Sequence, residues 1–203
     1  EISRQFTKDR EYHQLVQSLK EKRTPCTVSG MCDSSRPFFA LSLLKELGGK
    51  GLIVVPEEKE AYSLCEELES LGKKALVFPA RDYVFDSLDA KSREWEHQRL
   101  GVLMSVFADD YDVILAVPDA LMQYTMPRSV LFDSVITLKR GETEELKLLC
   151  DMLVSSGYTN APQVEGKGQF SVRGGILDVF PPQSENPIRI DFFGDEIDSI
   201  REF

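Results

Sequence analysis

Two rhythms of hydrophobic and polar positions divide this chain. In the first, short unbroken apolar runs alternate with amphipathic stretches of helical period. Tyr12–Leu19 has the helical pattern, and Pro25 ends it. Cys26-Thr27-Val28 reads as a short buried strand and Ser29–Ser35 as a loop. Phe38, Phe39, Leu41, Leu43, Leu44 and Leu47 then supply the apolar content of a helix stopped by Gly48-Gly49. Gly51–Val55 is β-branched and apolar, the mark of a strand buried on both faces. A helix over about Lys59–Leu71 follows, with Ala61, Leu64, Cys65, Leu68 and Leu71 at helical spacing. Ala75–Phe78 is a strand, Pro79–Ala90 an irregular loop with Tyr83 and Phe85, and Ser92–Phe107 a helix carrying Trp95 and Val102. Val113–Val117 is a further buried strand and Asp119–Tyr124 a short helix. This alternation predicts an α/β domain, a parallel sheet flanked by helices.

The rhythm changes at Pro127. Val135–Leu138 can be a strand. Glu142–Ser156 reads as a helix with Leu146, Leu149, Met152 and Leu153 on one side and its acids in the first turn, where the macrodipole favours them. Gly157 stops it. Afterwards the period is two. In Gly168–Pro182, GQFSVRGGILDVFPP, Phe170 and Val172 fall on one face and Gln169, Ser171 and Arg173 on the other. Gly174-Gly175 permits a turn or bulge. Ile176–Phe180 resumes as a strand that Pro181-Pro182 ends. Ile188–Phe193, a Gly194-Asp195 turn and Glu196–Phe203 continue an antiparallel meander. The boundary falls near residues 127–133, giving an α/β domain over 1–128 and a small α+β domain with an antiparallel sheet over 129–203. A sheet of this kind must bury one face on the Glu142–Ser156 helix, so Phe170 and Phe180 read as core; Phe192-Phe193 sends one ring to each side.

A length of 203 residues suits one large domain or two small ones, and 42% hydrophobic with 29% charged residues fits a soluble globular chain. The net charge of −10 argues against broad, sequence-independent nucleic-acid binding, which needs a basic face. No stretch approaches the ~20 apolar residues of a membrane span, and no secretory signal is visible. Cys26, Cys32, Cys65 and Cys150 form no CxxC pair, and His13 and His97 lie far from them. No metal site is therefore expected, and the thiols read as reduced and mostly buried, in a cytoplasm. Glu94, Glu96 and His97 do not form HExxH, and Asp109, Asp110 and Asp112 read as a polar turn. The chain begins at Glu1 and stops inside a strand-like run at Phe203, which reads as a fragment, expected to be monomeric, of something longer.

The first βα turn is where a nucleotide-binding α/β domain puts its phosphate loop. Val28–Ser35 occupies that place. A working loop ends Gly-Lys-Ser/Thr, with backbone N–H groups around the phosphates, the lysine on the β/γ charge and the hydroxyl on magnesium. Here Cys32 stands at the glycine position and Asp33 at the lysine position; only Gly30 and Ser34 fit. A carboxylate there repels a triphosphate. At ~4 Å the difference between attraction and repulsion is a few kcal/mol even at an effective dielectric near 20. No ATP binding is expected, and the loop can simply join strand to helix with Asp33 or Ser34 as N-cap.

Taken together, VSGMCDSS, GLIVVPEEKEAYSLCEEL, FPARDYVFDSL, SREWEHQRLGVL, GQFSVRGGILDVFPP and PIRIDFFGDEIDSIREF resemble the N-terminal module of the bacterial transcription-repair coupling factors. That module is similar to the first two domains of the excision-repair protein UvrB, with a degenerate helicase-like first domain. UvrB itself is the rival, but it carries an intact Gly-Lys-Thr loop. It also has a tyrosine-rich DNA-clamping hairpin for which the short link from Arg81 to Glu94 leaves no room. The resemblance implies a recruitment module without catalytic residues of its own, binding UvrA through the second domain. It also implies a parent protein that meets stalled RNA polymerase and moves on double-stranded DNA with an ATP- and magnesium-dependent motor beyond Phe203. The family's interface arginines map to Arg173 and Arg189; a third position is Ser171 here, and a fourth falls near Thr159-Asn160. Phe180 joins Arg173, Arg189 and Ser171 in the candidate set. Read without the resemblance, Arg173 pairs with Glu165 or Asp178 on a solvated strand. The alternative function is a nucleotide-binding helicase or UvrB-type domain acting on damaged DNA.

Overall fold

The structure is a computed structural model that describes residue 6, residues 8–81, 94–182 and 184–203. It divides into two compact units. One holds the described residues of Glu1–Ala80 and Ser105–Met122, the other those of Arg81–Met104 and Gln123–Phe203. The segment 82–93, where the sequence places the loop with Tyr83 and Phe85 and the link too short for a clamping hairpin, lies outside the described residues.

In the first unit, helix α1 spans Arg10–Lys20. Asp9 caps it, accepting a 2.7 Å hydrogen bond from the Glu11 amide. A single 3-10 turn, Asp33–Ser35, leads into α2, Arg36–Leu47, which Gly48 ends at φ 64°. Strand β1 is Gly51–Val54, α3 is Glu58–Ser70 and β2 is Ala75–Phe78. Helix α4, Glu94–Phe107, belongs to the second unit as far as Met104 and to the first from Ser105; β3, Val113–Ala116, and the short α5, Pro118–Met122, follow in the first. The sheet is parallel in the order β1-β3-β2, with Val113 in register with both Gly51 and Ala75. β3 sits in the middle, and Val113, Leu115 and Ala116 are fully buried. α3 packs on β2 and β3 through Ala61, Cys65 and Leu68.

Two expectations fail here. Cys26–Val28 is not a strand: all three residues are exposed and pair with no strand among the described residues. A short apolar run becomes a strand only where a neighbour accepts its ladder, and periodicity cannot supply that. β1 is not buried on both faces either, since Leu52 and Val54 are 56% and 49% exposed. Its apolar composition reflects the strand, but its place at the side of the sheet leaves one face open.

In the second unit, α6 (Arg128–Asp133) follows Pro127 and was not legible as a helix. Val135–Leu138 is not a strand; Ile136 and Leu138 pack against the core from a segment outside any helix or strand. Helix α7 is Leu146–Ser155, four residues shorter at its start than expected, and no acid stands in its first turn. The reason is hydrogen bonding. Gly141 N–H donates to the Ile197 carbonyl and Glu144 N–H to the Asp195 carbonyl, both at 2.8 Å. Thr143 bridges to Glu196, so this backbone is already committed to the sheet.

The sheet runs β4 (Thr159–Asn160), β5 (Gln169–Arg173), β6 (Ile176–Val179), β7 (Ile188–Phe193) and β8 (Glu196–Glu202), in that spatial order. β5 to β8 form the antiparallel meander; only the short β4 is parallel to its neighbour. Leu149 and Leu153 of α7 meet Phe170, Leu177, Val179, Ile190 and Ile197 in one core. Between Asp191/Ser199 and Phe192/Ile197 the β7–β8 register slips, so Asp198 is an extra residue and both Ile197 and Ile200 are on the core side.

Candidate functional site

The alternation that sends Phe170, Leu177 and Ile190 into the core puts the intervening residues on the opposite face. Cross-strand register then aligns Ser171, Asp178, Arg189 and Arg201 in one row, and Arg173, Ile176, Asp191 and Ser199 in the next. Asp178 is the centre of this face. Arg189 grips its carboxylate side-on, Nε to Oδ1 at 2.6 Å and Nη2 to Oδ2 at 2.8 Å. Arg173 Nη2 adds a third bond to Oδ2 at 2.8 Å. Of the two pairings open for Arg173, Asp178 is the one formed. The Asp178 side chain is 3% exposed, against 27% for Arg189 and 57% for Arg173. The Phe203 ring lies 4.5 Å from the Arg189 guanidinium carbon.

These contacts set the charges. The Arg189 hydrogen bonds, with the one from Arg173, hold the Asp178 carboxyl below its ordinary range against the opposing effect of burial. Asp191 is likewise held down, by the 2.5 Å bond from Ser199 Oγ and by Arg201. Both carboxylates stay ionised, and each arginine keeps nitrogens outside these bonds.

Of the four candidate interface residues, Arg173 and Arg189 come together on this face. Ser171 lies in the same row, but it is 2% exposed and donates to the Pro162 carbonyl at 3.0 Å. Phe180 lies just past β6, half-buried, with Lys167 Nζ 6.0 Å from its ring. Three other features lie outside the candidate set drawn from the sequence. Phe193, at the end of β7 and opposite Glu196, is 85% exposed, and strand alternation puts it on the same face as Arg189. Asp178 carries the arginine cluster, and its signal was a charge inside the apolar run ILDVF. Arg201 and Asp191 extend the polar face.

The phosphate-loop position belongs to the first unit. Gly30 has φ 79°. Cys32 Sγ lies 2.9 Å from Ser35 Oγ and 3.5 Å from Ser34 Oγ, and those hydroxyls, Ser34 first, push its thiol pKa down. Asp33 pairs with Arg36 at 2.9 Å, and Arg36 with Glu60 at 2.7 Å. Neither Asp33 nor Ser34 caps the helix: Ser35 holds the N-cap place of α2 without a side-chain bond. The adjoining cavity, of 460 Å³, is lined by Asp9, Glu11, Tyr12, Met31 and Phe39. Among the described residues its lining holds acids and aromatic rings and no lysine or arginine for a triphosphate. Cys26 and Cys32 are exposed, against the expectation of mostly buried thiols; Cys65 is buried and its thiol is pushed up to about 11. Among the described residues no group of three or more His, Cys, Asp or Glu could hold a metal ion, and no helix is long and apolar enough to cross a membrane.

Comparison with known proteins adds a family. Residues 136–203, the segment that carries the meander, match the UvrB interaction domain. The chain is 28% identical over 195 residues to the transcription-repair-coupling factor of Bacillus subtilis, covering 95% of this chain and 17% of that protein. It is 31% identical over 197 residues to that of Staphylococcus aureus, covering 96% and 17%, and 31% identical over 157 residues to that of Escherichia coli, covering 76% and 14%. The chain thus spans about a sixth of the length of these relatives.

Proposed function

The chain is a relative of the transcription-repair-coupling factors with a UvrB interaction domain at residues 136–203, and from that premise we propose that it is a recruitment module that binds UvrA. The observation that carries the reading is the outward face of the meander. Two arginines held on a buried carboxylate share the outward face of the sheet with an 85% exposed phenylalanine, Phe193. Arginine offers a planar fork of donors to carboxylates, and arginine and aromatic residues are the usual anchors of interfaces. Arg173, Arg189 and Phe193 are the contacts, with Arg201 at the rim. Ser171 acts by fixing the loop at Pro162, and Phe180 by packing under Lys167.

The module works without catalysis of its own. Its phosphate loop carries Asp33 where a lysine is needed, so ATP and magnesium belong to a motor elsewhere in the parent protein. That parent, on this reading, meets stalled RNA polymerase, moves on double-stranded DNA and hands the lesion to excision repair in the bacterial cytoplasm. The test is a calorimetric titration of UvrA from the same organism with wild type, Arg173→Ala, Arg189→Ala and Phe193→Ala. Wild type binds, and each variant loses roughly thirtyfold or more in affinity, as anchor residues do. Wild type that fails to bind, or three variants that bind like wild type, would overturn the reading.

A further inference from the structure

Asp178 cannot touch a partner, because its side chain is 3% exposed, yet both proposed contact arginines converge on it. A buried carboxylate in the middle of a sheet is a poor source of stability. Its desolvation opposes its pairing, and an apolar residue between Leu177 and Val179 would meet the same packing demand. The geometry gives it another use. A side-on grip through Nε and Nη2 fixes the plane of the Arg189 guanidinium and directs Nη1 away from Asp178. The Phe203 ring lies 4.5 Å from the guanidinium carbon. Arg173 spends one nitrogen on the same oxygen, Oδ2, so the two guanidiniums are referenced to one point.

We propose that Asp178 is a positioning residue for partner binding. It holds Arg173 and Arg189 in one fixed arrangement before the partner arrives, so that the entropy of ordering two long side chains is not lost on association. This rests on the recruitment reading. It adds the claim that the affinity of the arginines depends on a residue the partner never meets. The fitting partner surface is a planar acceptor such as a carboxylate, approached edge-on.

The test uses Asp178→Asn, which keeps the volume and removes the charge, beside Ile197→Val, a core change that touches neither arginine. Two readouts are taken. The first is UvrA titration, including Asp178→Asn in an Arg173→Ala, Arg189→Ala background. The second is the Nε–H signal of Arg189 in 15N NMR of the free protein. Expected are a loss of affinity of roughly tenfold or more in Asp178→Asn, and no further loss from it in the double-alanine background. The Arg189 Nε–H signal is slowly exchanging in wild type and collapses to the exposed-arginine position in Asp178→Asn. Ile197→Val lowers the unfolding midpoint and leaves affinity within about twofold. Asp178→Asn binding like wild type, an additive loss in the double-alanine background, or an unaltered Arg189 signal overturns the proposal. If wild type does not bind UvrA, the recruitment reading fails, Asp178's role in binding fails with it, and the Arg189 signal alone decides whether the clamp exists. If Asp178→Asn does not fold, the wild-type signal decides: Nε–H exchange as fast as that of an exposed arginine overturns the clamp.

Discussion

The hairpin that carries Arg173 toward Asp178 turns on two glycines whose demands differ, and substituting each by alanine separates them. At Gly175 a Cβ would stand 2.9 Å from the backbone oxygen of Phe192, closer than carbon and oxygen pack. That oxygen cannot swing aside. Phe192 N–H donates to the Gly175 carbonyl at 2.7 Å, and Phe192 is in register with Ile197 on its other side. Relief must come from moving β6 and β7 apart, next to the Asp178–Arg189 contact. Overpacking of this kind costs about 2 kcal/mol. At Gly174 a Cβ meets nothing within 4 Å, and the only charge against alanine is the φ of 61°. A left-handed alanine costs about 1 kcal/mol, and asparagine, which tolerates that region, costs less. Urea unfolding followed by the fluorescence of Trp95, the only tryptophan, reports on this unit. With a slope of about 2 kcal/mol per molar, the midpoint falls by about 1 M for Gly175→Ala and about 0.5 M for Gly174→Ala, with Gly174→Asn between that and wild type. A Gly174→Ala loss equal to or larger than that of Gly175→Ala would refute the close-approach argument.

The depressed Asp178 carboxyl predicts an acid dependence. A carboxylate lowered on folding stabilises at pH above its unfolded value, near 3.9, and that contribution is lost as pH falls through the lower folded value. Urea midpoints of wild type and Asp178→Asn should therefore converge below about pH 4 and separate above it; a constant gap across that window would contradict the clamp. The thiols should label in order of exposure and pKa: in a limited iodoacetamide course read by mass spectrometry, Cys32 reacts early and Cys65 only on unfolding. Labelling of Cys65 in the folded protein at the rate of Cys32 would show that the buried side of α3 opens. Calorimetry with ATP and magnesium should show no saturable heat, and a saturable isotherm would return the nucleotide-binding alternative.

What could be read from the sequence was what depends on period. β2 and β3 are unbroken apolar runs and are buried on both sides; β5 to β8 alternate, and the alternation separated Phe170 and Leu177 from Arg173 and Arg189. Elements whose state depends on a neighbour were not legible. Cys26–Val28 has strand composition without a ladder, and residues 142–144 give up helix for bonds to β8 and the turn before it. Ile197 and Ile200, three apart in a strand, read as facing opposite ways until the extra residue Asp198 is counted. The candidate site divided in the same way. Arginine and aromatic positions could be listed, but that Asp178 and Arg189 stand directly opposite is a matter of register, which no single strand encodes.

The same three-way contact changes how this surface can be mapped. Replacing an arginine by glutamate is the usual way to disable a basic interface, on the assumption that the reversed charge acts only against the partner. Here a Glu at position 189 would bring its carboxylate up to the buried one of Asp178, and like charges at that distance cannot both remain ionised without one taking up a proton or the strands moving. Such a variant would report on local folding and on pH as much as on recognition. Truncating Arg189 to alanine leaves the same buried carboxylate short of two of its three bonds, so its effect too is shared between fold and partner; paired changes that remove the acid and the base together are the substitutions whose effects can be assigned to the partner.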